Sequence, residues 1–81
     1  MDAADVVIQR RLAAADRARV LARRASARAA RAKTPEMARR FEREAEVHLA
    51  SARCFLLAAQ AAHDRQSLGE ELSRRARDAT V

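Results

Sequence analysis

Turn-forming residues are almost missing from this chain. Its 81 residues include one glycine, Gly69, and one proline, Pro35, so a fold built on many tight turns is excluded. Tryptophan and tyrosine are absent and phenylalanine occurs only as Phe41 and Phe55, which leaves a core with little aromatic packing and a surface without base-stacking platforms. Cys54 is the sole cysteine. No internal disulfide is available, and its place in an apolar helical stretch suits a buried, inert thiol. The longest strongly apolar run, Cys54 to Ala59, falls far short of the roughly 20 residues a bilayer needs. Asp2 and Asp5 stand where a secretory leader would be basic. The expectation is a soluble, cytoplasmic protein that does not insert into a membrane.

What the chain does contain is alanine, arginine, leucine and glutamate, all good helix formers. An all-α fold follows. Hydrophobic residues reach 49%, but most are alanines that bury little surface each, and a chain of this length gains little from a core of its own. Oligomerisation is the usual remedy. The sequence Lys33-Thr34-Pro35-Glu36 sets a capping hydroxyl before a proline at the first helical position, with an acid in the first turn. A second weak point is Gln66-Ser67-Leu68-Gly69-Glu70, where Ser67 and Glu70 have capping-box spacing. These signals predict one domain over residues 1–81. Helix one spans about 3–33, helix two about 35–66 and a short third helix about 69–79, with the two long helices forming an antiparallel hairpin.

Charge is distributed unevenly between those helices. Residues 1–33 hold nine basic and three acidic side chains, and residues 34–81 hold eight of each, so the net charge of +6 resides in the first segment. Between residues 17 and 33 there are seven basic residues and no acid. Arg10, Arg17, Arg24 and Arg31 recur every seven residues, which at 3.6 residues per turn places them along nearly one line. Together with Arg28 they form a basic edge. In a hairpin that pairs residue i with about 68 minus i, Arg23, Arg24 and Arg28 come near Glu42, Glu44 and Glu46. Residues 35–46 carry a net charge of only −1, so most of the positive charge is left for solvent or a partner.

Helix two shows the better apolar pattern. Phe41, Ala45, His48, Ala52, Phe55, Ala59 and Ala62 are spaced alternately by four and three, with Met37, Leu49 and Leu56 widening the same face. On helix one the matching stripe reads Val7, Ala14, Ala18, Leu21, Ala25, Ala29 and Ala32. From Cys54 to Ala59 helix two is apolar all round, more than one neighbouring helix covers. A second copy is therefore expected to complete a four-helix bundle through Phe41, His48, Leu49, Phe55, Leu56 and Leu57.

Catalytic and cofactor signatures are missing. His48 and His63 lie fifteen residues apart, more than 20 Å along a helix by the ~1.5 Å rise, and neither is preceded at three residues by a glutamate of the kind di-iron bundles use. No metal or cofactor is expected. Arg23, Lys33 and the pair Arg43-Glu44 resemble the arginine, lysine and Arg-Glu arrangement with which the all-helical chorismate mutases bind a dicarboxylate. Alanines at 25, 27, 29, 30 and 32 stand where such a pocket needs bulky aliphatic walls, so the resemblance assigns no family and no enzymatic activity is expected. The sequence reads instead as an interaction module that offers its arginine edge to an acidic protein partner, with arginine forks matched to carboxylates. The alternative is a dimer that uses the same edge on nucleic acid without sequence specificity.

Overall fold

A computed structural model describes residues 2–80 of the chain; residues 1 and 81 lie outside it. Two helices make up the described residues, α1 over Ala3–Ala30 and α2 over Pro35–Ala79. They form an antiparallel hairpin with an overall extent of 72 × 19 × 11 Å. The radius of gyration is 19.7 Å, against about 12 Å for a compact domain of this length. The molecule is a rod.

Local chemistry fixes the ends of both helices. Asp2 caps α1 by accepting hydrogen bonds at Oδ1 from the backbone N–H groups of Ala4 (2.6 Å) and Asp5 (3.3 Å), which satisfies donors that a helix start leaves open. At the other junction Thr34 is extended, with φ −130° and ψ 151°, and its hydroxyl accepts from Met37 N at 3.2 Å. Pro35 disfavours a helical Thr34. The last turn of α1 tightens, with Arg31 N donating to Arg28 O and Ala32 N to Ala29 O, both at 3.2 Å. Helix one thus stops at Ala30, three residues before the expected boundary. No described residue has positive φ, so the connection is made without a glycine.

The expected third helix is not separate. α2 runs through Gln66–Glu70 without a break, and Gly69 lies in its interior with nothing within 4 Å of where a Cβ would stand. A single exposed glycine costs a helix about 1 kcal/mol. Good helix formers on both sides, with no proline, outweigh that, and the capping-box spacing of Ser67 and Glu70 remains unused. α2 is therefore about 67 Å long and α1 about 42 Å at the usual rise; the equal lengths expected from sequence are not observed.

Alanine fills the seam between the helices. Among the described residues the buried ones are Ala15, Ala18, Ala22 and Ala25 on α1 and Ala45, Ala52 and Ala59 on α2, and no large side chain is fully buried. Gln66 reaches Asp5, and two grooves between the helices join Ile8 and Leu12 to Leu56 and His63, and Ala4 and Val7 to Ala62 and Gln66. Paired residue numbers thus sum to about 70. In this register Ala18 meets Ala52, Ala25 meets Ala45, and Ala15, Ala22 and Ala29 meet Phe55, His48 and Phe41. Small residues at these positions let the helix axes come close, and Phe41, His48 and Phe55 stand opposite alanines of α1 in this register.

The α1 stripe expected from sequence is half corrected. Ala18, Ala25, Ala29 and Ala32 belong to the seam or its margin and Val7, though 40% exposed, borders the groove against Ala62 and Gln66, whereas Leu21 is 43% exposed and turned away from α2. The observed seam follows Ala4, Ile8, Arg11, Ala15, Ala18, Ala22, Ala25, Ala29 and Ala32, alternating by four and three. Arg11 interrupts it. Its side chain is half-buried and its Nε has no hydrogen-bond partner. Beyond about residue 68 α2 has no α1 beside it, and Leu68 and Leu72 stand exposed on this overhang.

Candidate functional site

Arg10, Arg17, Arg24, Arg28 and Arg31 are all exposed. Seam positions lead into the hairpin, so residues that follow Arg10, Arg17, Arg24 and Arg31 by one, namely Arg11, Ala18, Ala25 and Ala32, face α2, and the four arginines are turned well away from it. Their line is interleaved with a second row of Val6, Ala13, Val20 and Ala27. At its centre Asp16, Arg17, Val20, Leu21 and Arg24 line one shallow depression that no α2 residue enters. The aliphatic stems of Arg17 and Arg24 border apolar surface while their guanidinium heads reach water, the usual amphipathic use of arginine. Spacing alone does not reveal these apolar neighbours, because Leu21 by its size fits a seam position and Val20 falls outside the expected apolar stripe.

The ladder is not uniform. Arg31 caps α1, and its Nε donates to Ala27 O at 3.3 Å. Arg28 is in the last turn of the same helix, where a cation offsets the negative end of the helix dipole. Arg10, Arg17 and Arg24 carry no such local duty.

The expected pairing of Arg23, Arg24 and Arg28 with Glu42, Glu44 and Glu46 does not occur. Every ion pair among the described residues lies within one helix: Arg19–Asp16 at 3.9 Å, Arg39–Glu36 at 3.7 Å, Arg75–Glu71 at 2.8 Å and His63–Asp64 at 3.9 Å. Arg23 and Arg24 occupy the outward half of α1, so the glutamates of α2 are out of their reach. The positive charge of α1 is therefore compensated within the described residues only by the Arg19–Asp16 pair.

Of the residues expected at an oligomer interface, Phe41, His48 and Leu56 are half-buried, while Leu49, Phe55 and Leu57 are exposed. The structure places Phe41 and His48 in the seam of their own chain. Leu56 lines a lateral groove with Ile8, Leu12, Ala59, Gln60 and His63. Cys54, expected to be buried, is exposed, because α1 covers only one side of α2. Among the described residues no three His, Cys, Asp or Glu side chains gather as metal ligands, and no helix is long and apolar enough to cross a membrane.

No protein-family model matches the chain, and no curated protein or solved structure matches it. What the arginine surface can do chemically is bind anions by charge-assisted hydrogen bonds in a fixed row, with apolar contact between successive guanidinium groups.

Proposed function

We infer that the chain is a non-enzymatic helical interaction module, cytoplasmic, whose α1 edge engages an acidic protein partner. The observation that carries this reading is the depression lined by Arg17, Val20, Leu21 and Arg24, which pairs uncompensated guanidinium groups with the exposed Leu21 and the half-buried Val20. A partner helix with carboxylates and aliphatic residues at matching intervals satisfies both. Arginine forks suit carboxylates in two-pronged geometry.

Nucleic acid is the second reading, and the same uncompensated charge favours it. The apolar side chains of Val20 and Leu21 in the depression weigh against it, because a phosphate chain laid along Arg17 and Arg24 gains nothing from them. The chain also acts as a dimer in this account. Its apolar surface on α2 exceeds what α1 covers, with Val47 and Leu57 as the most exposed large hydrophobic residues.

Affinity capture from the native host, with and without nuclease treatment, tests the reading. A partner retained after nuclease, and lost when Arg10, Arg17 and Arg24 are all replaced by alanine, is the expected result. Capture that disappears with nuclease assigns the edge to nucleic acid.

A further inference from the structure

The apolar residues on the side of α2 opposite α1 form a second seam. Val47, Ala50, Cys54, Leu57 and Ala61 alternate by three and four along the helix, the spacing that keeps one stripe in line over several turns. All five are exposed, Leu57 at 71% and Val47 at 63%. Glu46, Arg53 and Gln60 run along one flank of this stripe, and Glu44, Ser51 and Arg65, interrupted by Ala58, along the other. Arg40 and Arg43 precede it and Asp64 follows it.

We propose that this seam is the dimer interface, and that its occupant is the same seam of a second copy running antiparallel. The inference rests on the reading that the chain dimerises and specifies the face and the register. Val47, Ala50, Cys54 and Leu57 read the same way in both directions, whereas Ala61 stands opposite the partner's Arg43. Pairing residue numbers that sum to 104 sets Val47 against the partner's Leu57 and Ala50 against the partner's Cys54. The two-fold axis repeats both contacts. In the same register Arg40 meets the partner's Asp64 at each end, so basic and acidic ends complement one another. A parallel pairing sets Arg40 against the partner's Arg40 and Asp64 against the partner's Asp64. Charge therefore selects the antiparallel form.

Asp64 already accepts from Gln60 Nε2 at 2.9 Å, and both are exposed, so one carboxylate oxygen remains open to a second donor. Arg53 is the unfavourable neighbour in this register, since it approaches its own copy across the axis. Its long side chain turns to solvent, and Glu46 on the same flank offsets part of the repulsion.

Residues 35–69 of the two copies overlap, a strip about 50 Å long and about 10 Å wide by the dimensions of a helix. That buries on the order of 1,000 Å² in total, the lower end for a specific interface. The dimer is accordingly a reversible one. It places four helices in a flat row with α1 on both outer sides, instead of a square bundle, and the two arginine edges face outward on opposite sides.

Sedimentation velocity across a concentration series tests the proposal. The unmodified chain is expected to associate to a dimer. Leu57→Glu and Val47→Glu each weaken association at least tenfold with unchanged helicity, since both side chains are exposed. Arg40→Asp alone and Asp64→Arg alone weaken association, and the double variant restores it to within a few-fold of the original. A monomer at high micromolar concentration overturns the face and the dimer together. A dimer that Leu49→Glu or Leu56→Glu dissociates but Leu57→Glu does not overturns the face and leaves dimerisation standing. Singles that weaken association without rescue in the double overturn the antiparallel register.

Discussion

Gln66 Nε2 donates to Asp5 Oδ1 at 3.4 Å across sixty-one residues of sequence, and it is the single side-chain hydrogen bond between the two helices among the described residues. Everything else that holds α1 against α2 is alanine packing and a few half-buried larger side chains. A partly buried neutral-to-charged bond of this length contributes about 1 kcal/mol. Gln66→Ala is expected to lower the urea midpoint by a corresponding amount without loss of helix at the α1–α2 turn, as judged by circular dichroism and amide exchange.

Close approach at the alanine seam gives a sharper test. Ala25 is 3% exposed and faces Ala45 in the register, while Leu21 on the same helix is 43% exposed. Ala25→Leu forces the axes apart and is expected to cost about 1–3 kcal/mol. Leu21→Ala, on the outward side, stays within about 0.5 kcal/mol, the usual range for a surface position. Thermal unfolding of the two variants checks the contrast.

Gly69 supplies a prediction of opposite sign. It lies inside α2 with helical φ and no neighbour for an added methyl group, so Gly69→Ala is expected to stabilise the helix by about 0.5–1 kcal/mol. Amide exchange over residues 66–79 should slow. Exchange that quickens there contradicts the continuous helix.

Arg11 occupies a seam position with its Nε buried and unpaired. A donor left without an acceptor in a buried place costs about 1–3 kcal/mol, so Arg11→Met, which keeps the stem and removes the donor, is expected to hold or raise the unfolding temperature. A clear fall shows that the guanidinium head contributes a contact worth more than its buried nitrogen costs.

These residues also show what the sequence made legible. Thr34 and Pro35 announced the turn, because a cap and a fixed φ act locally and need no tertiary information. The α2 seam through Phe41, His48 and Phe55 was equally plain, since large residues mark a period clearly. α1 was harder. Its buried positions are alanines no different in type from the exposed Ala13 and Ala30, and the large Leu21 points the stripe toward the wrong side. The exposed stripe through Val47, Cys54 and Leu57 was hidden for the opposite reason: with apolar residues all round α2 from Cys54 to Ala59, no side stands out until α1 is docked. Gly69 misled because a residue that weakens a helix need not end it. The charge pairing across the hairpin failed at the level of side-chain direction, which spacing alone does not give.

The most direct measurement of the central claim compares two triple variants of Arg10, Arg17 and Arg24 for binding to the partner captured after nuclease treatment. Those three are exposed and free of the capping duty that ties Arg31 to Ala27 O. If the edge grips carboxylates, exchange of all three for lysine loses binding nearly as badly as exchange for alanine, because the planar fork is lost along with the two-pronged bonds it makes. Retention of most affinity by the lysine variant, with a steep loss on added salt that is the same for unrelated duplexes, contradicts the account and marks the edge as a phosphate-binding array.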